Sequence, residues 1–250
     1  MEYAAKRPIA GPATNVQDFL RKVFGWMFAG LAITGAAAAA IGSSDELLTT
    51  ITENPLIFIG LVVVQLGLVI AISAAIDRIS STVALALFFL YAASVGVIFA
   101  LVFELYTAQS IFTTFLVTAG MFGAMAAWGY FTDRDLSAMG SILFMALVGL
   151  ILATIVNIFW ANEILYWVTT YAGVLIFAGL TAYDMQKVKR YGESGAGGEA
   201  AEKAAVQGAL ALYLDFINLF LFLLRIFGRA RSGPPGRSGA PGGESVTAAG

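Results

Sequence analysis

Two aspartates carry the chemistry available to this sequence. Asp215 lies inside Ala209–Arg225, read ALALYLDFINLFLFLLR, an apolar stretch long enough to enter a bilayer that also holds the amide of Asn218. A carboxylate at the centre of a membrane helix costs about 2.5–3.5 kcal/mol on insertion scales, so such a residue faces a protein interior or a water-filled cavity and marks a functional site. The preceding apolar segment, Val174–Tyr183, ends in a second acid, Asp184, just before the basic residues Lys187, Lys189 and Arg190. Two acids so placed can meet across a helical hairpin, although Asp184 alone also suits a headgroup-level charge beside Lys187. Brought within hydrogen-bonding reach in a low-dielectric site, they cannot both ionise cheaply and titrate as one unit. A shared proton locks the hairpin. Its loss leaves like charges that favour a wider arrangement or a bound cation, and a hard ion such as calcium takes oxygen ligands of this kind. Asp184 and Asp215 with Asn218, Tyr183 or backbone carbonyls make a weak, transient calcium site, suited to permeation rather than storage. These residues do not separate calcium from another cation.

The composition says where such a site must sit. Of 250 residues, 59% are hydrophobic and only 12% charged, too few charges to cover a soluble surface, so the chain is a polytopic membrane protein. The net charge is −2, and the basic residues form short clusters beside apolar spans, which gives no case for nucleic-acid binding. The lack of cysteine removes disulfides, thiolate metal sites and redox switching. The lack of histidine leaves proton sensing near neutral pH to carboxylates in unusual surroundings. No cofactor is expected. The partners are the lipid bilayer and a permeant ion.

Seven apolar stretches must position the acids: Val23–Ile41, Pro55–Ile76, Ser81–Phe103, Gln109–Phe131, Ser137–Trp160, Glu163–Tyr183 and Ala205–Phe227. A span needs about 20 apolar residues, and each of these qualifies. Between the first two lies an acidic segment, Ser43–Asn54; between the last two lies a Gly- and Glu-rich connection, Gly192–Lys203. With the N-terminus cytoplasmic, that side collects Lys6, Arg7, Arg21, Lys22, Arg78, Arg134, Lys187, Lys189, Arg190 and Lys203, and the first three opposite loops hold no lysine or arginine. Arg225 in the last turn of the final span and Arg229, Arg231 and Arg237 after it by charge favour re-entry, but about 23 residues suffice to cross, and crossing is the expectation. The chain thus divides into a short cytoplasmic tail (1–20, with no signal peptide), a transmembrane domain (21–228) and a disordered tail (229–250) rich in Gly, Pro, Ser and Ala.

Other features have plainer explanations. Small residues in Gly35–Ala40, Gly120–Gly129 and Gly173–Ala182 permit close helix packing. Trp26, Trp160 and Trp167 near span ends are interfacial anchors. Gln65 and Asn157 suit interhelical hydrogen bonds. Glu104 borders the third span on the non-cytoplasmic side, where it is either solvated or an ion-entry group. An intramembrane aspartyl protease also sets two aspartates on adjacent helices, one in a Tyr-Asp pair like Tyr183–Asp184. Its second acid normally follows Gly-x-Gly, however, and Tyr213–Leu214 stand before Asp215, so the chain is not expected to be an enzyme.

The strings VTAGMFGAMAAWGYFTDRDLSAMGSILFMALVGLILATIVN (Val117–Asn157), GVLIFAGLTAYDMQKVKR (Gly173–Arg190) and GALALYLDFINLFLFLLRIFG (Gly208–Gly228) resemble the bacterial branch of the Bax inhibitor-1 family. The resemblance covers about residues 15–228 and is loose in the first three spans. It implies an all-α membrane protein of the bacterial inner membrane, with six helices wrapped around a central C-terminal helix. It also implies a pH-sensitive calcium leak in which Asp184 and Asp215 form a di-aspartyl sensor. Some members resemble instead regulators of a membrane-bound quality-control protease, which makes such a protease the alternative partner. The sensor in this family can pair with an arginine at the cytoplasmic end of the second helix. Here Ala75–Ile76–Asp77 occupy that place, and Arg78 is the nearest basic residue.

Overall fold

The computed structural model describes residues 15–231, and among them every regular element is a helix: α1 (Val16–Gly42), α2 (Asp45–Glu53), α3 (Pro55–Ala75), α4 (Ser81–Leu105), α5 (Ala108–Phe131), α6 (Ser137–Trp160), α7 (Glu163–Glu193) and α8 (Gly198–Phe227). All except α2 are long and apolar enough to cross a membrane. The starts are written in the sequence. Asn15, Ser44, Asn54, Ser80, Thr107 and Asn162 each cap a helix by accepting from a backbone N–H of its first turn, and Pro55 occupies a position where its missing donor costs nothing.

Three stretches depart from the expected boundaries. The acidic segment 43–54 is not an open loop but contains α2, begun by the Ser44 cap with Asp45 and Glu46 in the first turn, where acids complement the helix dipole. The connection 192–203 shrinks to Ser194–Gly197, because Ala and Glu after Gly198 propagate helix; only Gly195 and Gly198 take positive φ, at 67° and 65°. At the N-terminal side, α1 begins at Val16, ahead of the apolar run that starts at Val23. Residues 1–14 and 232–250, including most of the expected disordered tail, lie outside the described residues.

α8 is the centre. Its Ala205, Ala209, Leu212, Tyr213 and Leu219 are fully buried, and α1, α4, α5 and α7 pack directly on it. α1 and α4 form the most extensive pair. A Cβ at Gly96 would collide with Ala37 and the Thr34 carbonyl, and one at Gly30 with the Phe88 ring, so these glycines set the distance between the two helices. α3 and α6 stand outside this group, packed chiefly on α4 and α7 respectively.

The two ends of α8 touch opposite ends of α4. At its start, Glu199 Oε1 accepts from Ser81 N (2.7 Å), beside the first turn of α4. Past its end, Thr107 N donates to Arg229 O and Arg231 N to Leu105 O (both 3.0 Å), forming an antiparallel bridge between Tyr106 and Ala230 beyond the last turn of α4. Ser81 and Tyr106 bracket α4, so α8 runs the length of the bundle and does not re-enter.

Candidate functional site

α7 and α8 are 31 and 30 residues long, about 45 Å each at 1.5 Å per residue, so the hairpin extends past a hydrocarbon layer of about 30 Å. That overhang lets Asp184, near the end of α7, meet Asp215, in the middle of α8. The two carboxyl groups lie within hydrogen-bonding reach of each other. Asp215 is 3% exposed, and no N–H or hydroxyl donor reaches its Oδ2. A carboxyl–carboxyl contact becomes a hydrogen bond only when one partner carries a proton.

The rotation of α8 is pinned from behind. Tyr213 is fully buried, its hydroxyl 2.6 Å from Thr34 Oγ1 of α1, and its ring meets Phe88 and Tyr91 of α4 edge-on. Two residues further along a helix is about 200° round the axis, so the contact that turns Tyr213 toward α1 and α4 turns Asp215 away from them. Thr34 Oγ1 also bonds the carbonyls of Gly30 (3.0 Å) and Ala92 (2.9 Å), tying the anchor to both helices.

Asp184 and Asp215 line a cavity of about 1110 Å³ bounded by α3, α6, α7 and α8, with Tyr91 of α4. On α8 the lining residues Ala211, Leu214, Asp215, Asn218 and Phe222 follow helical spacing, so one stripe faces the space. Along α6 the lining runs from Gly140, in the first turn, to Ile155, near the last, about 22 Å at 1.5 Å per residue. The Tyr183 ring also lines the cavity, against Gly140, where any Cβ would overlap it.

Of the residues expected to support the pair, Asn218 lines the cavity, with its Nδ2 donating to Leu214 O (2.8 Å). Arg78 does not line it. It is an exposed residue of the α3–α4 turn, and the basic residue that does border the cavity is Lys187, one turn beyond Asp184 on α7. The i, i+3 spacing of Asp184 and Lys187 was the signal for that placement. Gln65, read as an interhelical donor, also borders the cavity, and its buried Nε2 has no partner. Glu104 is elsewhere, paired with Arg231 (3.3 Å) at the opposite end of the bundle. Asn157 accepts from Asn162 N (2.9 Å) in the α6–α7 turn. Among the described residues no three acids come together, so a cation here has two carboxylates at most.

The C-terminal end of α7 is clamped to the α5–α6 turn. Gln186 accepts from Leu136 N (2.9 Å) and donates to Arg134 O (2.8 Å), Lys189 donates to Tyr130 O (2.9 Å), and Arg190 pairs with Asp135 (2.7 Å). Hydrogen bonds from the Ser137 hydroxyl and backbone, then from Arg190, hold the Asp135 carboxyl down at about 2.

Residues 16–232 match the family model described as inhibitor of apoptosis-promoting Bax1. The chain is similar to the inner membrane protein YbhL of Escherichia coli, 48% identical over 225 residues, which cover 89% of this chain and 96% of that protein. Uncharacterized proteins of Borreliella burgdorferi and Deinococcus radiodurans are 44% and 42% identical, over 86% and 85% of this chain and 93% and 90% of their own lengths.

Proposed function

The chain belongs to the Bax inhibitor-1 family, and we propose that it is a pH-sensitive cation leak of the bacterial inner membrane, with calcium as the permeant ion and Asp184 and Asp215 as its gate. The observation that carries this reading is the contact between the two carboxyl groups in a cavity that follows α6 over most of its length. With one proton in the pair, α7 and α8 are held together there. Without it, two like charges in a low-dielectric site repel, and the arrangement relaxes either by separating or by taking a cation between them. Two carboxylates and the Asn218 carbonyl oxygen are few ligands for calcium, which takes six to eight oxygens, so the ion keeps water and passes on. No reaction is assigned to the pair, and the reading is of a non-enzyme.

Purified protein in calcium-loaded liposomes tests this directly: the leak reading requires efflux above that of protein-free vesicles. Absence of efflux at every pH would remove it, and a role as regulator of a membrane-bound protease would take its place.

A further inference from the structure

α3 and α6 both border the cavity of Asp184 and Asp215, yet each packs chiefly on another helix, α3 on α4 and α6 on α7. Their cavity-side residues Leu66, Ile70, Phe144 and Met145 are apolar and exposed, so in a bilayer the gap between them opens sideways onto hydrocarbon. The polar groups inside are few and of mixed sign. Asp215 is buried with Oδ2 lacking a donor, Gln65 has a buried Nε2 lacking an acceptor, and Lys187 is an exposed cation one turn from Asp184 toward the cytoplasm. A purely apolar tail would leave both orphans unmet, a simple anion would face the aspartates, and a small cation resting on the aspartates would leave Lys187 without a partner. An amphiphile with an ammonium next to a phosphate meets all three conditions.

We propose that this side opening binds an aminophospholipid of the cytoplasmic leaflet, of the phosphatidylethanolamine class. The ammonium sits on the Asp184–Asp215 pair, the phosphate on Lys187, and the chains leave between α3 and α6, where Gln65 Nε2 donates to an ester carbonyl. A primary ammonium has three donors for carboxylate oxygens, whereas the trimethylated head of phosphatidylcholine has none, and phosphatidylglycerol has no positive charge at all. The cavity is large enough to enclose a headgroup with the first part of its chains.

The inference shares its cavity with the leak reading but is tested by binding alone, so either can fail without the other. Native mass spectrometry of the detergent-purified protein, offered phosphatidylethanolamine, phosphatidylcholine and phosphatidylglycerol with identical chains, should show about tenfold preferential retention of the first, the worth of one charge-assisted contact. Asp215→Asn should bring retention down to the phosphatidylcholine level, and Lys187→Gln should weaken both phosphatidylethanolamine and phosphatidylcholine severalfold. Gln65→Leu, on α3 and outside the hairpin that carries the acids, gives a milder loss and serves if the Asp215 variant is not recovered folded. Soluble phosphoethanolamine should not bind, because the apolar opening selects a membrane lipid. Equal retention of the three lipids, a preference that survives in both Lys187→Gln and Gln65→Leu, or a dimer that forms with loss of bound lipid would each overturn the proposal, the last by assigning the opening to a second copy of the chain.

Discussion

The carboxyl group of Asp184 meets that of Asp215 across the α7–α8 hairpin, and no hydroxyl or N–H intervenes to reconcile two negative charges at the buried Oδ2. Two carboxyl groups in contact share a hydrogen bond when they hold one proton between them and repel when they hold none.

The opposite end of the bundle should not take part in that change. Glu104 and Arg231 are each about half exposed, at 53% and 52%, and an exposed ion pair contributes about 0–1 kcal/mol. Glu104→Gln is expected to leave the pH midpoint of flux where it is and to lower the melting temperature in detergent only slightly. A shifted midpoint would place Glu104 in the gate.

The α5–α7 contact depends on a glycine. A Cβ on Gly129 would fall on the backbone carbonyl of Ala182, which cannot turn aside as a side chain tip can, whereas a Cβ on Gly120 of the same helix meets nothing. Gly129→Ala is expected to cost roughly 1–3 kcal/mol as overpacking, and Gly120→Ala to be neutral or slightly stabilising. Thermal unfolding of the two variants in the same detergent checks the contrast; equal midpoints would mean that α5 and α7 do not approach so closely.

The clamp on α7 has its own acid limit. Asp135 titrates at about 2, below its ordinary 3.8, so its bonds to Ser137 and Arg190 stabilise the fold fully above the ordinary value and are lost as pH falls through the lowered one. Asp135→Asn should therefore melt below the parent at neutral pH, and the gap should close between about pH 4 and pH 2. A gap that stays constant through that window would mean that the ionised carboxylate is not what the clamp uses.

Much of this was legible in the residues. The seven spans follow from apolar run length, and the cost of placing Asp215 in such a run calls for a polar partner, which Asp184 at the end of the preceding span is placed to supply. Crossing by the last span was the weaker inference, because the arginines after it argue for the cytoplasmic side; the Tyr106–Ala230 bridge, which no local pattern announces, decides it. α2 was concealed in a segment read only for its acidity, although Ser44 followed by Asp45 and Glu46 is a helix start. In the connection 192–203 the glycines suggest an open loop, but the alanines and glutamates around them extend α7 and α8 to leave only Ser194–Gly197 between the helices. That Lys187 and not Arg78 borders the cavity depends on where α7 passes it, a tertiary fact.

Topology can be checked without interference from native thiols, since the chain contains no cysteine. Ser44→Cys and Ala230→Cys are expected to react with an impermeant reagent from the non-cytoplasmic side, and Asp77→Cys from the cytoplasm. Labelling of Ala230→Cys from the cytoplasm would place the two ends of α8 on one face and contradict the fold.

The central claim is tested most directly by the pH profile of calcium efflux from liposomes containing the parent, Asp184→Asn or Asp215→Asn protein at equal density. The account predicts a pH-dependent leak in the parent and a flattened profile in both variants, stronger for Asp215→Asn, whose amide donates to Asp184 without needing a shared proton. Efflux that persists in both variants with the parent's pH profile unchanged would contradict the di-aspartyl gate.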